Sequence, residues 1–186
     1  PKGLYLCIYP DHSYFEFILD DDQTFKIETT IGKSAEDYIK NMQLNGSDIN
    51  EAFFDYQLFM ISLNQQSNDL RQALKSDPNN KEIKNKLSNL NTQVKDKWNE
   101  IKKGYPGSFL AKMIKALEEI KVPEPPKDEN GNITDSLFQY NYYKDHFFDN
   151  IDFSDNQLLY SPVYHRKLQY FFEKVVAKRP DSVISA

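Results

Sequence analysis

The residues whose types could do chemistry are three histidines, one cysteine and a scatter of aspartates. His146 and Asp149 stand three apart, on one face of a helix, with Asp145 and Asp152 close in sequence. That spacing could converge two ligands on a cation. A transition-metal site takes three or four ligands, and His12 and His165 would have to arrive from other elements. The plainer reading is that these acids cap and solubilise helix ends. Tyr164-His165-Arg166, near Asp152 and Asp155, has the composition of an acid–base cluster. No nucleophile accompanies it, and only geometry decides such a case. Asp128-Glu129-Asn130-Gly131-Asn132 has the look of a calcium loop. An EF-hand needs Gly at position six and Glu at twelve, whereas Gly131 falls at four and Gln139 at twelve. An Asn-Gly turn explains the segment better, since both residues tolerate positive φ. Cys7 has no partner for a disulfide or a CxxC pair, and in a strand it reads as a small buried hydrophobe. No catalytic residue, cofactor or metal site is assigned, and the chain as it stands is read as not an enzyme.

The aromatic residues are the stronger signal. The chain holds 12 Tyr, 13 Phe and one Trp, and nearly half of them fall between Phe138 and Phe172. Such side chains dominate cores and interfaces. Tyr140, Tyr143, Phe147 and Tyr170 exceed what one face of each helix can bury, which makes them the candidate partner surface. The competing reading is that two aromatic-rich helices pack on several neighbours at once.

The elements that must carry these residues follow one another along the chain. Gly3–Tyr9, Tyr14–Leu19 and Thr24–Thr30 are short runs of strand formers separated by turns, which predicts an antiparallel meander. A fourth strand is expected within Tyr38–Leu44. At Asn45-Gly46-Ser47 the pattern changes, and Ser47 or Asp48 can cap a helix. Phe53, Tyr56, Met60, Leu63, Leu70 and Leu74 then make one helical stripe. Asp77-Pro78-Asn79-Asn80 interrupts it, with Pro78 suited to a helix start. Ile83, Leu87, Leu90, Val94, Trp98 and Ile101 form a second stripe, so the two make an antiparallel hairpin. A third helix is expected over Ser108–Lys121. Val122–Lys127 reads as a stiff proline-rich connector. A helix carrying Phe138 and Tyr142 runs on through Phe147, Phe148 and Ile151. A loop follows to Ser161. Pro162 then opens a helix with Tyr164, Leu168, Phe171, Phe172, Val175 and Val176 inward, stopped by Arg179-Pro180-Asp181. The fold class is therefore α+β, mainly α: a short N-terminal β meander (1–46), then a helical domain (47–186) of hairpin and aromatic-rich lobe.

Composition bounds the partners. A net charge of −5, with lysines dispersed among acids, lacks the clustered basic face of a nucleic-acid binder. No run approaches the roughly 18 apolar residues that span a bilayer. The opening on Pro1-Lys2 and the helix-cap signal of Asp181-Ser182 near the end read as an excised piece.

The run DENGNITDSLFQYNYYKDHFFDNIDFSDNQLLYSPVYHRKL, preceded by EPP and followed by RPDSV, resembles the N-terminal region of TlpA/ResA-type thioredoxin-like thiol-disulfide oxidoreductases of the Gram-negative envelope. In that group a DxNGNIxDS turn, a YYxxHFFDNIDFSD segment and an LLxxPVxxxKLxxYF helix precede a C-terminal thioredoxin fold. YFEFILDDDQTFKIET looks like the end of the β-domain common there. The relatives' WCxxC centre has no counterpart, since Trp98 and Cys7 lie far apart. The resemblance thus implies a non-catalytic accessory or interaction domain of a periplasmic or envelope enzyme. Its partners would be the thioredoxin domain of the same parent chain and possible client proteins. The alternative is a stand-alone envelope protein binding a peptide or glycan through exposed tyrosines. A hydrolase using His146 or His165 with nearby aspartates comes third.

Overall fold

The computed structural model describes residues 2–21, 24–30, 32, 34–159 and 161–176. The expected stop at Arg179-Pro180-Asp181, the cap at Asp181-Ser182 and the Asp22-Gln23 part of a turn lie outside them. By packing, the chain groups into two units, Pro1–Ala111 and Lys112–Ala186. This division falls elsewhere than the change in composition at 46/47.

In the first unit, β1 (Gly3–Ile8) and β2 (Tyr14–Leu19) form an antiparallel hairpin, with Leu6 opposite Glu16 and Cys7 opposite Phe15. The turn closes through the Tyr9 N–H donating to Ser13 C=O at 2.8 Å. Asp11 tightens it by accepting from the Ser13 N–H and hydroxyl. The third strand does not extend this hairpin into a three-stranded meander. β3 (Lys26–Glu28) pairs instead with β4 (Gln43–Asn45), giving two separate strand pairs. Between them lies a helix that periodicity did not reveal, α1 (Ala35–Lys40). It is only six residues long, too short for a stripe to register, but Ser34 caps it by accepting from the Asp37 N–H. Tyr38 from this helix is buried and stacks on Tyr9.

Gly46 ends β4 at φ +92, and a Cβ there would sit 3.3 Å from the Thr24 carbonyl. Glycine is thus required on both counts. Ser47 then caps α2 (Asp48–Ser76), as its position before the apolar stripe suggests. α3 (Lys81–Gly104) returns antiparallel to it. All twelve stripe residues of the two helices are buried or half-buried. Pro78 does not open α3. It sits in the turn, and Asn80 is the cap, its side chain accepting from the Ile83 N–H at 3.0 Å. Trp98 on α3 donates its indole N–H to the Tyr56 hydroxyl on α2 at 3.1 Å. Burial raises the Tyr56 pKa, a shift that this bond partly opposes.

Two buried polar side chains tie the hairpin to the helices. Asn50, fully buried on α2, accepts from the Ile18 N–H and donates to the Ile18 C=O, both at 2.7 Å. It acts as a one-residue strand against β2. Asp20, also buried, accepts from the Phe109 N–H at 2.7 Å and pairs with Lys2 at 3.2 Å. It thereby satisfies a free amide at the start of α4 (Phe109–Leu117). That helix is shorter than the expected Ser108–Lys121, although Phe109, Leu110, Met113 and Ile114 are all buried.

In the second unit the proline-rich connector has no regular structure and leads into a tight turn. Lys127 and Ile133 bridge across it, and Gly131 takes φ +83. α5 (Phe138–His146) follows, then a turn over Phe147–Asn150 where a continuing helix was expected. A short helix, α6 (Asn156–Leu159), lies inside the expected loop. Ser161 caps α7 (Pro162–Tyr170), with Pro162 in its first turn. The chain then widens into a π turn, Phe171–Val175, closed by the Val176 N–H on the Phe171 carbonyl. An i→i+5 turn advances each residue through a smaller angle than an α turn. Val176 therefore rotates onto the side of Phe171 and Val175, and all three are buried. Phe172, expected inward, is left 40% exposed.

Candidate functional site

The four aromatic residues singled out from the sequence divide into three environments. Phe147 is core, only 4% exposed, and packs with Phe171, Val175 and Val176. Little of its ring is open to a partner, so it is core where an exposed surface residue was expected. Phe147 caps α5 with helical φ −55 and ψ −32, so it lies one turn on from Tyr143 on the same side, where it meets Phe148 edge-on and Phe171 at 5.1 Å. Tyr143 is half-buried against this cluster. Tyr140 and Tyr170 are 43% and 51% exposed. Tyr140 is nonetheless anchored, because its hydroxyl donates to the Val175 carbonyl at 3.0 Å.

Tyr143, Phe147 and Tyr170 do come together, around a groove of about 310 Å³. Its remaining wall comes from Leu117, Glu118, Glu119 and Ile120, at and beyond the end of α4, and from Lys167 of α7. The Phe147 and Tyr170 rings lie nearly parallel with centroids 6.1 Å apart. Lys167 lies over the first of them. Its ammonium donates to the Ala116 carbonyl at 2.8 Å and stands 5.3 Å from the Phe147 ring centroid. It thus satisfies one of the last carbonyls of α4 while making a cation–π contact. Burial of this half-covered side chain holds its pKa below the ordinary lysine value. Asn150 donates to the Glu118 carbonyl, just past the end of α4, at 3.1 Å. Tyr143 moves the other way: burial, then the charge of neighbouring Tyr170 and Glu119, raises its pKa. The groove therefore offers aromatic rings, a partly desolvated cation and acidic side chains along its wall. It can bind a mixed apolar and polar surface, and no nucleophile accompanies it.

Lys167, Glu118 and Glu119 were not anticipated as site residues. Lys167 carried a legible signal, since it precedes Tyr170 by three and Phe171 by four in an aromatic helix. A lysine at that spacing must either lie over the rings or leave the stripe. Glu118 and Glu119 had no such signal, because their place follows from where α4 stops.

The titratable clusters are dispersed. His146 does meet Asp149, Nδ1 to Oδ2 at 2.7 Å, and stacks on Tyr142. Both partners of this contact are substantially exposed. Asp152 instead accepts from the Ser154 N–H and hydroxyl, bonds that lower its pKa. Asp155 pairs with Lys112 and caps α6 through the Gln157 N–H. His165 is exposed and has a ring contact with Tyr164. Among the described residues no three His, Cys, Asp or Glu side chains converge as a metal site would require. In the DENGN segment Asp128 accepts from the Asn130 and Asn132 amides and from the Asn132 side chain. Those bonds lower its pKa, Asn132 contributing most. No helix of the described residues is long and apolar enough to cross a membrane.

No family profile, curated protein or solved structure matches this chain.

Proposed function

We propose that this chain is a non-catalytic accessory domain of a periplasmic thiol-disulfide oxidoreductase, presenting or positioning client proteins for a C-terminal thioredoxin fold outside these residues. The observation that carries the reading is the motif run from Asp128 to Leu168. Its residues supply the DENGN turn, α5, most of α7 and two of the groove's three rings, Tyr143 and Phe147. A groove with an aromatic floor and flanking charges suits segments of a client that expose apolar and polar groups together. The redox step would belong to the thioredoxin fold, because Cys7 has no CxxC partner in this chain. The deciding experiment is to read the parent gene past the codon for Ala186. A following domain with a CxxC pair is expected, and a natural stop codon there overturns the proposal. In such a parent, Tyr170→Ala lowers kcat/KM for insulin reduction and leaves the redox potential of the CxxC pair unchanged.

A stand-alone envelope binding protein is the second reading. The exposed rings of Tyr140 and Tyr170 favour it, since both are available without a further domain. It requires the stop codon that the first reading forbids.

A further inference from the structure

The groove of the second unit has two electrostatically different parts. In one, the Lys167 ammonium is committed to the Ala116 carbonyl and the Phe147 ring. Burial alone lowers its pKa, with no carboxylate acting on it. The other part is formed by Tyr143, Tyr170 and Glu119. The Tyr143 pKa is raised by burial first, then by the charges of Tyr170 and Glu119, so both stand near its hydroxyl. Among the described residues the Glu119 carboxylate makes no ion pair, and neither tyrosine hydroxyl makes a hydrogen bond. The Tyr170 ring is half exposed, and Leu117 and Ile120 add apolar wall. This part offers an aromatic face, acceptor oxygens and a negative charge, and the groove's own cation is held elsewhere.

On the reading of the groove as a client site, we infer that it selects an arginine side chain of an extended client segment, guanidinium over the Tyr170 ring and against the Glu119 carboxylate. Charge complementarity chooses this occupant. A guanidinium stacks on aromatic faces and presents a planar fork that matches a carboxylate. Its aliphatic stem suits the Leu117 and Ile120 wall, as long cationic side chains cover apolar surface with their stems. The neutral hydroxyls of Tyr143 and Tyr170 can accept from its remaining N–H groups. An acidic side chain fits worse: it would meet the Glu119 charge, and the one cation of the groove already serves Ala116 and Phe147. The chain's net charge of −5 favours encounter with basic segments over acidic ones.

The test is an NMR titration of the 186-residue chain with three blocked tripeptides, leucyl-X-leucine, where X is arginine, citrulline or glutamate. Citrulline keeps the shape of arginine and removes its charge. The arginine peptide is expected to bind with a dissociation constant of about 1 mM, shifting the amides of Glu119, Ile120 and Tyr143. The citrulline peptide should bind about 10-fold more weakly, having lost the charged partner of both ring and carboxylate, and the glutamate peptide more weakly still. Glu119→Gln should weaken the arginine peptide about fivefold with an unchanged circular dichroism spectrum, and narrow its lead over citrulline by the same factor. Glu129→Gln, an exposed acid in the DENGN turn, should change it less than about twofold. Equal binding of the arginine and citrulline peptides, a preference for glutamate, or an arginine preference untouched in Glu119→Gln overturns the proposal. So do shifts confined to residues outside the groove, or no binding of any peptide to about 10 mM. A stop codon after Ala186 would overturn the accessory-domain reading and leave these affinities as they are, so the two failures are distinguishable.

Discussion

Asn50→Leu tests the most concentrated polar contact in the first unit. Asn50 is fully buried and serves both backbone groups of Ile18 at 2.7 Å, while its remaining amide proton goes to the Ser47 hydroxyl at 3.0 Å. Ile18 is itself fully buried, so leucine strands an N–H and a C=O away from water. Each orphaned group costs about 1–3 kcal/mol. The extra apolar burial of leucine offsets part of this, about 1 kcal/mol. The expected loss is therefore about 3 kcal/mol, against about 1 kcal/mol for removing the Ser47 cap as Ser47→Ala. Urea unfolding followed by Trp98 fluorescence reads this unit directly, because the chain has one tryptophan and its indole is bonded to Tyr56. The midpoint should fall with the m-value unchanged, and exchange at the Ile18 amide should speed up. Asn50→Asp adds a sign test. Its carboxylate can accept from the N–H but meets the Ile18 carbonyl with like charge, and burial raises its pKa. The damage should be relieved as pH falls and the acid becomes a donor again. A loss below about 1 kcal/mol in Asn50→Leu would show that water or a rearranged side chain satisfies Ile18, and the strand-mimic account would then fail.

Two further predictions concern the second unit. Lys167 has a lowered pKa through burial, so the unfolded chain binds more protons between the folded value and 10.5. Stability contributed by this residue must rise with pH across that window. Lys167→Met keeps a stem over Phe147, and urea midpoints at about pH 9 and about pH 10.5 should lose that slope while stability at neutral pH changes by no more than about 1 kcal/mol. Asp128 is the opposite case. Its pKa is lowered from 3.8, so its turn is fully formed above the unfolded value and loosens only as pH falls through the lower folded value. The amide resonances of Asn130 and Asn132 should report a midpoint below 3.8, absent in Asp128→Asn, and a midpoint at or above it would contradict the hydrogen-bond account.

The long helices were legible because twelve apolar residues repeat at helical spacing with capping residues before them. Ser47 shows how a cap fixes a boundary, and Ser161 with Pro162 does the same for α7. The strand pairing was less legible. β1 and β2 are adjacent and joined by a tight turn, so they pair. β3 has only three residues, and nothing in an alternating KIE states whether its partner precedes or follows it. α1 escaped for a similar reason, since six residues give fewer than two turns of pattern.

The candidate groove shows a different limit. Counting aromatics over Asp135–Val176 identified a region with more rings than two helical faces can hide, and three of the four chosen residues do line one groove. Periodicity could not say which ring goes inside. Phe147 keeps helical φ and ψ past the end of α5 at His146 and so stays on the side of Tyr143, facing the core, whereas the π turn after Tyr170 brings Val176 in while Phe172 stays out. That turn changes the angle per residue without changing composition. The polar side of the groove depends on a further boundary, the end of α4 at Leu117. The Ala116 carbonyl near that end and the Glu118 carbonyl just past it accept from Lys167 and Asn150, and the lysine comes to lie over Phe147 as a consequence. The groove is thus a product of helix ends more than of helix faces. Variants that shift those ends, by altering Lys167 or the turn at Phe147–Asn150, should change it more than single changes at its exposed tyrosines.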